Sequence, residues 1–127
     1  MAVVGHGIDL IECERIATLR SRHGDRFARR ILTDREREYV SRFKDPVQRI
    51  AGRFAAKEAI LKMLGTGWVG QIAWTDMEIL NDRAGVPEVT LTGHCANIAE
   101  ARGVSRVLVS ITHTERYAAA SAIGVRE

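Results

Sequence analysis

The chain has 127 residues, 46% of them hydrophobic and 28% charged, with a formal net charge of +3. That is the length and composition of one globular domain, able to bury a core without staples. The composition excludes a long membrane-spanning helix, because no apolar run approaches ~20 residues. It also gives no support to a zinc site, because Cys13 and Cys95 stand alone and neither belongs to a CxxC or a metal-spaced His pattern.

In chain order, residues 2–10 alternate and are rich in Val, Ile and Gly, which predicts a strand ending near Asp9. The start "MAVVGHGIDL" has no basic region ahead of its apolar residues, so it does not read as a signal peptide, and a cytoplasmic location is expected. Residues 11–22 predict a helix stopped by Gly24. Residues 25–32 predict a second short helix with Asp25 as cap, and "TDRE" at 33–36 has capping-box form and opens a third toward Phe43.

A long helix follows, with Asp45 as N-cap and Pro46 as first helical residue. Its stripe is Val47, Ile50, Ala51, Phe54, Leu61 and Leu64, and Gly65 ends it. "GTGWVGQ" at 65–71 follows a helix C-terminus, so it lacks the geometry of a phosphate-binding glycine loop and reads as a flexible segment. Residues 74–80 and 86–92 form a strand pair across the turn 81–85. Residues 93–103 form a helix, and 106–112 with 117–123 form a hairpin. The expected class is α+β: a single domain over 1–127, with a mainly antiparallel sheet and one long helix packed on it.

Charge is distributed unevenly. Residues 15–53 carry eleven Arg and one Lys against five acids, a local net of +7, which leaves −4 for the rest of a chain whose total is +3. An acidic partner and a merely solvated, salt-bridged surface both account for this. The pI near 9.2 also raises a nucleic-acid-binding domain, but the basic segment is interleaved with acids, is poor in aromatics and holds no standard motif. A non-catalytic scaffold is a further alternative.

Two acids are out of place. Glu58 belongs by spacing to the apolar stripe of the long helix, and a buried carboxylate must be paired, protonated or metal-bound. Lys62, four residues on, offers a structural pair. Asp9 ends an apolar, Gly-containing strand in which His6 and Gly7 leave room and polarity, and it reads equally as a turn or cap acid. Together, Asp9 and Glu58 also suit a magnesium site, because that ion typically takes one or two carboxylates and completes its shell with phosphates and water. Two such like charges ~4 Å apart repel by about 4 kcal/mol at an effective dielectric of ~20, which a divalent ion reverses. A scaffold gives no reason for either acid.

"GIDLIECERI", "RFAAKEAILK" and "VSITHTERYAAASAI", in this order, resemble the holo-[acyl-carrier-protein] synthases, the small stand-alone 4′-phosphopantetheinyl transferases. The resemblance covers essentially the whole chain. It implies transfer of the 4′-phosphopantetheine arm from coenzyme A to a serine hydroxyl of apo acyl carrier protein in fatty acid biosynthesis, with adenosine 3′,5′-bisphosphate as the other product. It assigns Asp9 and Glu58 to magnesium, Lys62 to the phosphates, and Arg53 and His113 to further coenzyme A contacts. It also implies a homotrimer with its sites between subunits, and no nucleic-acid or membrane partner. The apolar strands "VLVSI" and "AAASAI" would line the common axis. The general base stays open between Glu58 and a water on the metal.

The family's usual Ser-Ile-Ser-His is here Ser110-Ile111-Thr112-His113, which keeps the hydroxyl. Arg15, Leu19 and Arg22 share one helix face, and Arg26 follows; together they are the expected dock for the acidic carrier protein. Trp68 and Trp74 read as packing residues of the core or an interface.

Overall fold

The computed structural model describes residues 1–68 and 70–127; Val69, inside the glycine-rich segment, lies outside the described residues. The elements are β1 (Ala2–Glu12), α1 (Cys13–His23), α2 (Asp25–Ile31), α3 (Asp34–Val40), α4 (Val47–Leu64), a 3₁₀ turn (Trp74–Asp76), β2 (Met77–Asn81), β3 (Pro87–Leu91), α5 (Gly93–Ala101), β4 (Arg106–His113) and β5 (Tyr117–Arg126). They form two antiparallel sheets, a three-stranded one in the order β1-β5-β4 and the β2-β3 pair, with α4 packed across the larger. The α+β expectation holds, with the single sheet corrected to two.

Several boundaries differ for local reasons. Ile11 and Glu12 continue β1 against Ala118 and Tyr117, so α1 starts at Cys13 rather than Ile11. Asp25 is the first residue of α2, not its cap. Thr33 and Glu36 make the expected capping box. Asp45 does accept from the Val47 N–H at 3.2 Å, but α4 starts at Val47, one residue later than expected. Trp74–Asp76 is a 3₁₀ turn instead of the start of a strand.

The alternation of the large sheet fixes what faces α4. Gly5, Gly7, Asp9 and Ile11 of β1 share one face with Ala118, Ala120, Ala122 and Gly124 of β5 and Val107, Val109, Ile111 and His113 of β4. These small residues let α4 come down onto the strands. A Cβ on Gly7 would lie 2.0 Å from the Ala59 carbonyl oxygen and 2.7 Å from the Met63 nitrogen, a backbone-to-backbone approach only glycine allows. The other face carries the rows His6–Ile123–Leu108, Ile8–Ser121–Ser110 and Leu10–Ala119–Thr112. It is open: Ile8, Leu10 and Leu108 are 62%, 66% and 41% exposed.

On its far side α4 is held by a buried ionic network. The Lys57 ammonium donates to the Ile31 carbonyl at 2.6 Å and to Glu36 Oε1 at 2.7 Å, and both side chains are fully buried. Glu36 also accepts from the backbone N–H of Thr33 and of Ile79, each at 2.9 Å. One carboxylate thus ties α3, α4 and β2. Burial pushes the Lys57 pKa down, and the Glu36 charge opposes it. Cys13 and Cys95 are buried free thiols.

Candidate active site at the junction of β1 and α4

Position along β1 determines which turn of α4 each residue meets. Gly5 meets Met63, Gly7 meets Ala59 and Met63, and Asp9, two residues further along the same face, meets the preceding part of the helix. There Lys62 reaches over. Its ammonium donates to Asp9 Oδ1 at 3.2 Å and to the Ile8 carbonyl at 3.0 Å. Glu58 lies one turn before Lys62 on the same helical face. Asp9, Glu58 and Lys62 are therefore brought together from two elements.

The alternative Glu58–Lys62 ion pair is not the one formed: Lys62 turns to Asp9, and Glu58 Oε1 accepts from the Trp68 indole N–H at 3.3 Å. Nor is Glu58 the core-facing acid of α4. It is half-buried at the rim, while its neighbour Lys57 is wholly inside. The stripe misplaces them because α4 is covered by the sheet on one side and by α1, α3 and β2 around the rest, so apolarity no longer marks one face.

Arg53 is not brought to this cluster. It is 3% exposed, its Nε donates to the Ile79 carbonyl at 3.1 Å and its Nη2 to Asn81 Oδ1 at 2.7 Å, and the guanidinium lies 4.5 Å from the Tyr39 ring centroid. The expectation of a coenzyme A contact meets a side chain that fastens α4 to β2. His113 ends β4 on the helix-packed face, two residues beyond the Asp9 row, and is exposed, with Arg49 Nη1 3.3 Å from its Nε2. Arg49, stacked 4.2 Å from the Phe43 centroid, was not singled out by sequence; only its helical spacing from Arg53 could have pointed to it. Thr112, the departure from the usual motif, points to the open face, opposite His113.

The docking candidates also separate. Arg15, Leu19 and Arg26 line one groove with His23, Phe27 and Arg30, floored by Phe54 and Trp74, whereas Arg22 is exposed but does not line it. The Arg15 guanidinium sits 5.5 Å from the Phe54 centroid.

The donors at the rim are chemically suited to magnesium: two hard carboxylates and an adjacent ammonium for phosphate. Among the described residues no group of three or more His, Cys, Asp or Glu is close enough to hold a metal alone. Two carboxylates fit an ion that shares its shell with substrate phosphates. Among the described residues, too, no helix is long and apolar enough to cross a membrane.

Comparison with known proteins gives this geometry its relatives. The sequence profile of the 4′-phosphopantetheinyl transferase superfamily matches residues 5–122. The holo-[acyl-carrier-protein] synthase of Solibacter usitatus is 46% identical over 112 residues, 88% of this chain and 90% of that protein. The crystal structure of the Neisseria meningitidis holo-[acyl-carrier-protein] synthase superposes with a TM-score of 0.88 at 34% identity, covering 98% of this chain and 100% of that one. The Bacillus anthracis enzyme, solved in complex with CoA (3′,5′-ADP), gives 0.82 at 34% identity over 98% of each. With its fold and most of its length so matched, the chain belongs to the 4′-phosphopantetheinyl transferase superfamily, among the holo-[acyl-carrier-protein] synthases.

Proposed function

We propose that this protein moves the 4′-phosphopantetheine arm of coenzyme A onto a serine hydroxyl of an apo acyl carrier protein, releasing adenosine 3′,5′-bisphosphate, as a step serving fatty acid biosynthesis. The observation that carries this is the Asp9–Lys62 contact where β1 crosses α4, with Glu58 one turn along the same helix face, in a chain matched over most of its length to holo-[acyl-carrier-protein] synthases.

The reaction is an in-line attack of a hydroxyl oxygen on the β-phosphorus of coenzyme A. The new P–O bond forms as the bond to the bridging oxygen breaks, and the electron pair leaves on the adenosine 3′,5′-bisphosphate phosphate. Such a step needs positioning and charge neutralisation more than covalent help from the protein. Asp9 and Glu58 supply the protein's oxygen donors for magnesium. When bound, that ion offsets the negative charge of the diphosphate and polarises the phosphorus. Lys62 is half-exposed, bonded to Asp9 and to the Ile8 carbonyl, and its long stem lets the ammonium turn from them to the leaving phosphate. The serine proton passes to a carboxylate lone pair of Glu58 or to a water beside it. His113 and Arg49 put two nitrogen-bearing side chains side by side at the strand end, a pairing suited to a further phosphate.

The acidic carrier protein would dock at the groove of Arg15, Leu19 and Arg26, beside Trp74. The open apolar face with Ile8, Leu10 and Leu108 supports a homotrimer, in which sedimentation should return three times the 14.1 kDa chain mass.

The test is the intact mass of an apo acyl carrier protein after incubation with this protein, coenzyme A and magnesium. One phosphopantetheine arm should be added. EDTA, Asp9→Ala and Glu58→Ala should each prevent it while the circular dichroism stays native. No added mass refutes the activity, and full addition in EDTA and in both variants refutes the metal site.

A further inference from the structure

We propose that Trp68 is the positioning residue for Glu58: its indole N–H holds one carboxylate oxygen so that the other is presented to the divalent ion. This rests on the reading of Glu58 as a metal ligand.

A glutamate at a helix rim has three side-chain torsions to settle before it can serve an ion, and Lys62 does not settle them, because it is turned to Asp9 and the Ile8 carbonyl. The hydrogen bond that Glu58 receives is from Trp68 Nε1 to Oε1 at 3.3 Å. An indole is a donor only and carries no charge. It can therefore orient a carboxylate without neutralising it, which an ammonium in the same place would do at the expense of the cation. With Oε1 so engaged, Oε2 is left for the ion.

Trp68 is itself 41% exposed and needs support to be a fixed donor. Its ring lies 4.3 Å from that of Trp74, centroid to centroid, and Trp74 lies 4.7 Å from Phe54. Phe54 is one helical turn before Glu58 on α4. The rings thus form a bracket from Phe54 through Trp74 and Trp68 back to Glu58. It starts and ends on the same face of one helix. Neither tryptophan is spare packing in this arrangement: Trp74 seats Trp68, and Trp68 seats the carboxylate.

Outer partners of metal ligands commonly contribute about 10–100-fold to metal affinity. The single neutral bond here puts the expectation at the lower end. Trp68→Phe keeps a benzene ring against Trp74 and removes the pyrrole ring with its N–H, the donor to Glu58. Binding of Mn²⁺ is followed by electron paramagnetic resonance on the full chain with coenzyme A present and carrier protein absent. The Mn²⁺ Kd should rise ~10-fold in Trp68→Phe and further in Glu58→Ala, and the double variant should match Glu58→Ala alone. Coenzyme A binding measured without metal should not change in Trp68→Phe.

Unchanged Mn²⁺ affinity in Trp68→Phe, with Glu58→Ala weakened, overturns the positioning role. So does a loss that persists in full on the Glu58→Ala background, or a metal-independent loss of coenzyme A, which would make Trp68 a wall of the substrate site. Unchanged Mn²⁺ affinity in Glu58→Ala overturns the ligand reading itself.

Discussion

Replacing Lys57 with Met removes the ammonium at the centre of the buried network and keeps the length of its stem, so no large cavity opens. Two hydrogen bonds are lost, the 2.6 Å bond to the Ile31 carbonyl and the 2.7 Å bond to Glu36. Glu36 is left fully buried without its ion-pair partner, though it keeps the Thr33 and Ile79 N–H donors at 2.9 Å and the attraction of the Arg53 guanidinium. Breaking a buried pair by removing one partner costs ~3–5 kcal/mol. The two remaining donors place this site near the bottom of that range, so about 3 kcal/mol is expected out of a total of ~5–15. That corresponds to a fall in Tm of roughly 10 °C for a domain between the small and the mid-sized classes. Urea unfolding at fixed protein concentration measures it, with the midpoint moving and the slope constant. Activity per folded molecule should also drop, because Lys57 precedes Glu58 and the network sets how α4 sits against β2. A loss below about 1 kcal/mol would refute the reasoning, since it would mean that the pair's desolvation had cancelled its attraction.

Gly7→Ala should cost ~3 kcal/mol or more, because the new Cβ meets backbone atoms of Ala59 and Met63 rather than a movable side chain. Gly24→Ala, at φ 56° and ψ −133° with no neighbour to meet, should cost ~1–3 kcal/mol from backbone strain alone; a Gly7→Ala loss smaller than that of Gly24→Ala in chemical denaturation would contradict the close approach of β1 to α4. Burial raises the Cys95 thiol pKa from 9.0 to about 11. The unfolded chain therefore loses its proton first, and stability present below pH 9 falls as pH climbs toward 11, by about 2–3 kcal/mol from this group. Cys95→Ala should flatten that part of the stability profile relative to the parent, and an unchanged slope would count against it. Arg15→Glu should raise the carrier-protein KM strongly and leave the coenzyme A KM nearly unchanged, with Arg22→Glu, outside the groove, weaker. Equal loss for both substrates would move Arg15 to the coenzyme A site.

The sequence by itself determined the elements. Alternation, the Thr33 capping box, Gly65 past the long helix and the turn before Tyr117 are local signals, and local hydrogen bonds and dihedral preferences decide them. It also marked Asp9 and Glu58, because a charge in an apolar run is anomalous wherever the chain goes, and Lys62 followed from its i+4 spacing to Glu58 and from the resemblance. The tertiary structure decided the partners. Lys62 lies opposite Asp9 because glycines at 5 and 7 let a helix settle on a strand more than fifty residues away, and no helical spacing contains that contact. Arg53 was expected at the coenzyme A site and Lys57 carried no signal in the sequence at all, yet both are buried. They are buried because α3 and β2 close over that side of α4 with Glu36, the Ile31 and Ile79 carbonyls and Asn81 in place to receive them. A charge can be buried only where such partners converge, and their convergence depends on the packing of elements rather than on the pattern of any one of them.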